Sequence, residues 1–513
     1  MKRKRTILFL NALFVLVAPF FFSPPSQGMT YFFVDSDWNG SKTGSEKTPW
    51  KYLDASAWAK MNGALQGDDV TVYFSAREAK LDVDDTYDVN GDRIQDGIEL
   101  NKRSDAGNHY LILDGGSKYN TNDLSPAWQP YIGASKCKIR FINSQNSSHV
   151  KRSRVVIDGF RIEQNSRGKA VAICGDEWTV RNCDIYHTAG ATDGPLVFIV
   201  STADGAHEGS NSYCQASRGI NIENNRIHDS YGELIYVGGA GCSQYDASGE
   251  IYCAGFPSHA DITIKKNTLY NGGRYGAEGD GIDLKAGLTN VTIAGNEIYN
   301  TGPSARAIVT QGQNRSGQNQ NYVIERNYIH DCTRLDDAAI AIVNGWGTPK
   351  GMEIRNNIIV LNKGVGIKIY DGLSLSVYNN TIYMNSSNGI IVSKGEVGVV
   401  NNLLIDNNGG GNQTSFLSDT TISEYNGYSN SWGGACGTCV PGLTRDDLVD
   451  VTNSNFSLSN NSTAIDKGKT LQPFSDDYAG RHRPIGPGWD IGAFEGEWRI
   501  SIPSAPKNVR ILQ

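Results

Sequence analysis

A chain of 513 residues with 47 Lys and Arg against 54 Asp and Glu carries a net charge of −7. That modest negative balance argues against a nucleic-acid partner and does not by itself advertise an acidic polysaccharide, so any such binding must be local. The 58 glycines fit many turns, and the length, enough for several domains, also suits one elongated solenoid core.

At the start, Lys2-Arg3-Lys4-Arg5 precedes an apolar run from Ile7 to Phe22, with small or polar residues following to Gly28. Residues 1–28 read as a secretory signal peptide. The run is short for a membrane anchor and is broken by Asn11 and Pro19. The rest of the chain contains no stretch able to span a bilayer, so a soluble, secreted or cell-surface monomer is expected. Residues 29–153 are expected to form an N-terminal cap and the first coils, with strand-like pieces at Tyr31-Phe32-Phe33-Val34-Asp35 and Asp69-Val70-Thr71-Val72-Tyr73. Within them, Asp88, Asn90, Asp92 and Asp96 surround Gly91 with oxygen ligands at alternate positions. That pattern resembles the short calcium loops of dockerins and thrombospondin type-three repeats, without the bidentate Glu of an EF-hand. The segment reads either as a structural calcium loop or as a solvated acidic turn.

A repeat then dominates residues 154–408. Asn225-Arg226-Ile227-His228 recurs as Asn267-Thr268-Leu269-Tyr270, Asn296-Glu297-Ile298-Tyr299 and Asn327-Tyr328-Ile329-His330, then at Asn357, Asn380 and Asn402. Periods of this length indicate a solenoid or array. Short Val- and Ile-rich runs with period-two alternation, such as Val291-Thr292-Ile293, flank each Asn and read as strands. The fixed offset of Asn from the next apolar residue suits side-chain amides bonding along a stack of turns. The expected architecture is all-β: a right-handed parallel β-helix, with an antiparallel sandwich or propeller as the alternative. Residues 409–500 are expected to form irregular C-terminal coils and a cap, in which Asp477 to Pro484 and Asp490 to Glu495 cover the last coil, and 501–513 a tail. Cys242 with Cys253, and Cys436 with Cys439, are candidate disulfides in an exported chain. A redox or zinc role for the Cys436-Cys439 spacing lacks its usual context.

One repeat differs: Glu278-Gly279-Asp280-Gly281-Ile282-Asp283-Leu284-Lys285-Ala286-Gly287 concentrates carboxylates and a lysine. Aligning repeats by their inward Ile and Leu positions leaves Gly281, Asp283 and Lys285 outward, because side chains alternate along a strand. The alignment predicts three outer columns: Glu233, Gly281, Arg306; Ile235, Asp283, Ile308, Ala341, Lys368; and Val237, Lys285, Thr310, Val343, Tyr370. Glu233, Asp280, Asp283, Lys285 and Arg306 then converge on one patch, with Thr310, Lys368 and Tyr370 placed to bind substrate. Long insertions after equivalent strands, at Ser201 to Arg218, Gly238 to Ala260 and Gly312 to Asn319, would wall a cleft there. An open groove along a β-helix fits an extended polymer. A lysine beside a cation could remove the proton α to a uronate carboxylate, provided its pKa falls from the usual value of about 10.4.

Asp280-Gly281-Ile282-Asp283-Leu284-Lys285, with its Asn repeat, resembles the pectate lyase-like superfamily of secreted β-helix proteins and is most similar to family-nine polysaccharide lyases. That resemblance implies Lys285 as the base and Asp280 and Asp283 as calcium ligands, with Glu233 alongside. Alginate lyases of the same fold imply that Arg306 neutralises or protonates. The implied activity is calcium-assisted β-elimination on an acidic, uronate-containing polysaccharide of pectate or alginate class. A non-catalytic cell-surface or glycan-binding solenoid is the alternative, and a glycoside hydrolase using Asp336-Asp337, or an epimerase, a further one.

Overall fold

The computed structural model describes residues 28–496 except 35–39, 46, 51–52, 75–97, 101–102, 104–107, 116–136, 140, 144–150, 165–168, 189–193, 200–215, 239–243, 246–250, 253–258, 274–278, 286, 303–304, 312–319, 333–336, 346, 419–420 and 473. The expected signal peptide, the acidic loop at Asp88, Asn90, Asp92 and Asp96, the Cys242–Cys253 pair, the C-terminal tail and most of the three long insertions lie outside these residues.

The described chain winds into three long parallel sheets. A first sheet of 13 strands runs from Met29–Val34 to Ile422–Glu424, a second of 12 from Cys137–Ile139 to Val440–Pro441, and a third of 11 from Ile98–Glu99 to Thr414–Phe416. Each coil visits them in turn. Thr289–Ala294 lies in the first sheet, Glu297–Tyr299 in the second and Ile308–Gln311 in the third, and Tyr322–Glu325 then returns to the first. The strands are short because each coil turns three times; burial of one face of each supplies the core. Ile235, Ile282, Ile308, Ile340, Ile367 and Ile390 stack in register on the inside of the third sheet, all fully buried.

The recurring asparagines make the turn between the first and second sheets. Asn225, Asn267, Asn296, Asn327, Asn357, Asn380, Asn402 and Asn426 form one buried ladder. At each rung Oδ1 accepts from the backbone N–H and the Nδ2 of the Asn one coil before. For Asn327 these bonds are 3.0 Å each, and its own Nδ2 donates to Ile293 O at 2.9 Å. The residue before each rung is left-handed, as at Asn224, Lys266, Arg326, Asn356 and Asn379, with φ between 50° and 55°. This bend brings the amide under the turn, and Asn tolerates that conformation better than most residues. A second ladder, Asn362, Asn385, Asn407 and Gln413, holds the opposite end of the second-sheet strands in the later coils.

Both ends of the solenoid are treated specially. Helix Ala55–Ala64, capped by Asp54 accepting from Ala57 N, buries Ala57, Trp58 and Met61 and packs against strand Asp69–Phe74. The C-terminal segment was expected over the last coil. Instead it docks along the flank of earlier ones: Asp476 pairs with Arg326, Arg483 Nη2 donates to Asn356 Oδ1 at 3.1 Å, and Gly492 N donates to Asn401 O. A fully buried pair, Arg483 with Glu495 at 2.5 Å, fixes its own fold. A disulfide joins Cys436 and Cys439 as expected, and the thiols of Cys183 and Cys332 are buried, against Arg181 O and His330 O.

Removing one rung tests the ladder. Asn327→Ala would orphan Ile293 O and the Asn296 N–H, at a cost of about 1–3 kcal/mol for each buried unsatisfied group. The exposed Asn321, bonded to Asn290 at 3.1 Å, serves as the control. Thermal unfolding should show a large drop for Asn327→Ala and a small one for Asn321→Ala; equal drops would show that the ladder contributes nothing special.

Candidate functional site

The Lys285 coil lies in the third sheet, where strand Ile282–Leu284 sits between Ile235–Val237 and Ile308–Gln311. The observed register differs by one residue in two coils from the sequence alignment. Asp283 pairs with Tyr236 and Val309, and the column continues through Ala341 to Lys368. Thr310 pairs with Leu284 and is fully buried, its Oγ1 3.8 Å from Met352 Sδ, so it lines the core rather than the groove. The runs Leu234-Ile235-Tyr236-Val237 and Ala307-Ile308-Val309-Thr310 are apolar at nearly every position, and such a run does not mark which alternate set faces in. Gly281, expected outward, stands at the corner of the coil. A Cβ there would lie 2.9 Å from Ile298 Cγ2 and 2.6 Å from Ala307 O, which only glycine avoids.

That register gathers the charged residues differently. Backbone pairing sets Asp280 between Glu233 on the preceding coil and Arg306 on the following one. Asp280 Oδ1 accepts from Arg306 N at 2.5 Å, and Arg306 Nη1 stands 4.0 Å from its other oxygen. Asp283 faces outward yet is enclosed; its Oδ2 meets Lys285 Nζ at 2.6 Å, and that Nζ lies 5.0 Å above the Tyr236 ring. Arg306 Nε donates to Asp337 Oδ2 at 2.6 Å, Tyr370 OH donates to Asp337 Oδ1 at 2.9 Å, and Lys368 Nζ is 3.8 Å from the same oxygen. Lys285, Arg306, Lys368, Tyr370, Asp280 and Asp283 therefore do share one face, with Glu233 in electrostatic reach of Asp280 and Lys285. Sequence reasoning missed Tyr236 and the part played by Asp337. Asp337 was visible only as half of an Asp-Asp pair, and its place depends on where the preceding turn delivers it.

The electrostatics follow from burial. Desolvation, then the Asp283 charge, pushes the Asp280 carboxyl up to about 7, against the pull of the Arg306 hydrogen bond and charge. Burial works against the Lys285 ammonium, but the carboxylates of Asp283, Glu233 and Asp280 outweigh it and its pKa is raised. Arg306 is likewise held cationic, burial being outweighed by Asp280 and Asp337. The carboxylate oxygens of Glu233, Asp280 and Asp283 are hard ligands of the kind calcium takes. Among the described residues, however, no three His, Cys, Asp or Glu side chains group closely enough to hold one ion. Asp280 is committed to Arg306 and Asp283 to Lys285. As placed, these side chains do not form a calcium cage.

Asp280 has a pH signature. A carboxyl whose folded pKa is raised contributes its full stability below the unfolded value, near 3.9, and loses it as pH climbs through about 7. Asp280→Asn keeps the acceptor for Arg306 N and removes the titration. The variant should lose less melting temperature than the parent between pH 5 and pH 8, as read by thermal melts at fixed salt; an unchanged difference would show that Asp280 does not titrate there.

The model of the family described as right handed beta helix region matches residues 213–381 and 315–461. No curated protein matches the chain in sequence. Among solved structures, pectate lyase Pel9A is 14% identical with a TM-score of 0.41, covering 92% of this chain and 97% of its own. The A-module of mannuronan C-5 epimerase AlgE4 from Azotobacter vinelandii is 12% identical with a TM-score of 0.42, covering 80% of this chain and 95% of its own. PfbA, a surface adhesin of Streptococcus pneumoniae, is 12% identical with a TM-score of 0.34, covering 74% and 79%. Among the described residues no helix is long and apolar enough to cross a membrane. With three parallel sheets wound about one core and the family match over residues 213–461, the described chain is a right-handed parallel β-helix.

Proposed function

We propose that the chain is an exported protein that takes an acidic, uronate-containing polysaccharide along the outer face of the third sheet and cleaves it by β-elimination at the Lys285 coil. The observation that carries this reading is the convergence of Lys285, Arg306, Lys368 and Tyr370 from three of four successive coils on one face, each beside a buried carboxylate. A guanidinium fork suits a planar carboxylate, so Arg306 would neutralise the uronate at the reacting sugar and acidify its α proton. Lys285 as the neutral amine would take that proton onto Nζ. The electron pair then forms the C4–C5 double bond, and the glycosidic oxygen leaves with a proton from solvent. No step is assigned to calcium.

The ion pair with Asp283 opposes the neutral amine. A lysine at its ordinary pKa is neutral in only about one molecule in 2,500 at pH 7, and the direction of the shift here is upward. Lyase activity through Lys285 should therefore rise about tenfold per pH unit through the neutral range and continue rising to alkaline pH. The same ion pair favours a second reading, a non-catalytic glycan-binding surface in which Lys285 remains an ammonium.

One assay separates the two. The purified protein is incubated with polygalacturonate and with alginate, with calcium or with chelator, and ultraviolet absorbance of the unsaturated product is followed. Elimination should appear on one polymer, climb with pH, persist in chelator and fall at least a hundredfold in Lys285→Ala. Absorbance that never develops, with polymer binding retained, would establish the binding reading; full activity in Lys285→Ala would remove Lys285 as the base.

A further inference from the structure

The long asparagine ladder meets a cysteine at both ends. Each rung stands one residue before its second-sheet strand, as Asn402 does before Leu403–Ile405 and Asn426 before Gly427–Tyr428. One coil before the first rung, Cys183 holds that place ahead of Asp184–His187, and its N–H donates to Asn225 Oδ1 at 2.9 Å. One coil after the last rung, Cys439 holds it ahead of Val440–Pro441, and its Sγ accepts the Asn426 N–H at 3.3 Å. Cys332 heads the second ladder in the same way, its N–H donating to Asn362 Oδ1 at 3.0 Å.

The last place makes the strictest demand. From Asn225 to Asn402, each rung N–H is taken by the amide oxygen of the following rung. Asn426 is fully buried, and an unmet buried N–H is costly. The following coil offers it a sulfur. A disulfide sulfur accepts weakly and brings no hydrogen of its own to place, whereas a terminal amide would bring two. The bridge to Cys436 closes a ring over residues 436–439 that holds the sulfur there. Within that ring Thr438 Oγ1 accepts the Tyr425 N–H at 3.0 Å, and just after it Val440 N donates to Asn426 O at 2.8 Å. Leu443 N then donates to Tyr428 O at 3.1 Å, and its side chain is buried with Leu403, Phe456 and Ile491. The ring therefore stands where the solenoid hands over to the C-terminal segment. Ala435, Gly437 and Thr438 beside the bridge are exposed, so a small dithiol reaches it.

We propose that the Cys436–Cys439 disulfide is a redox-sensitive lock on the last coil. Oxidised, it fixes Cys439 as the terminal rung and seats the start of the C-terminal segment. Reduced, the ring opens, the Asn426 N–H loses its acceptor and the last turn frays, while the coils behind it stay wound because each contacts only its neighbours. A dithiol reduces the bridge by exchange: one thiolate attacks a bridge sulfur and releases the other as a thiolate, and the second thiolate then displaces the protein sulfur. The dithiol leaves as a cyclic disulfide, and its two electrons and two protons pass to the protein thiols. A reducing cell interior keeps such a pair open, so this end of the solenoid closes only after export.

The test is hydrogen–deuterium exchange of the full chain read by mass spectrometry, with Cys436→Ser removing this bridge and leaving every other cysteine in place. Amides of residues 425–429 and 440–443 should exchange about tenfold faster or more in Cys436→Ser, whereas those around Asn296 and Asn327 keep the parent rates. Dithiothreitol should produce the same acceleration at 425–429 and 440–443 in the parent and add nothing there in Cys436→Ser. A double variant, Cys436→Ser with Cys439→Asn, returns an amide oxygen to the Asn426 N–H; it should recover slow exchange and ignore the reductant. Unchanged rates in Cys436→Ser would overturn the lock, as would faster exchange spread evenly along the solenoid in that variant. Rates that stay fast in the double variant would overturn it too, because the effect would then belong to the ring and not to the rung.

Discussion

The buried asparagine ladder is the constraint on which the rest depends. A parallel β-helix has no hairpins to set its register; each coil must find its place against the one before. The Oδ1 of each rung accepts two bonds from the rung before it, so a slip by one residue would orphan several buried polar groups at once. The left-handed residue before each rung turns the chain at the same point in every coil. Coil length is free to vary on the far side, where separations between rungs range from 42 residues to 22.

That freedom explains where chemistry gathers. The turn between first and second sheets is pinned by amides, whereas the outer face of the third sheet lies beyond the variable insertions. Side chains there are stacked at strand spacing by a register fixed elsewhere. Charged groups placed on that face meet at distances of 2.6 to 4.0 Å without any local motif. Enclosure pushes Asp280 toward neutrality, while the neighbouring carboxylates outweigh burial and hold Lys285 and Arg306 as cations. Each cation is shared among carboxylates, Lys285 with Asp283 and Arg306 with Asp280 and Asp337.

How much was legible in the sequence follows the same division. The Asn repeat and the alternation of Ile and Val gave the architecture, the inward columns and the identity of the coil that carries Lys285, Asp283 and Asp280. The columns drifted by one residue at Leu234–Val237 and Ala307–Thr310, because in an all-apolar run both alternate sets look equally suited to the core. Thr310 fell into the core for that reason, and Tyr236 and Val309 took the outer places assigned to Ile235 and Ile308. Asp337 was passed over as a partner of Arg306 because the turn before it sets its position, and turns in this chain have no common length. The C-terminal Asp477–Glu495 segment was recognised as a structural piece, but its docking flank depends on contacts with Arg326, Asn356 and Asn401, far away in sequence.

The sequence by itself determined the winding, the inner face and the presence of an unusual charged coil, since periodicity and side-chain polarity are local properties that every fold must respect. Only the tertiary structure decided which charges meet. Pairing of Asp280 with Arg306 and of Asp337 with Arg306, Lys368 and Tyr370 depends on register between coils separated by insertions of unequal length. That register is fixed by hydrogen bonds on the opposite side of the helix.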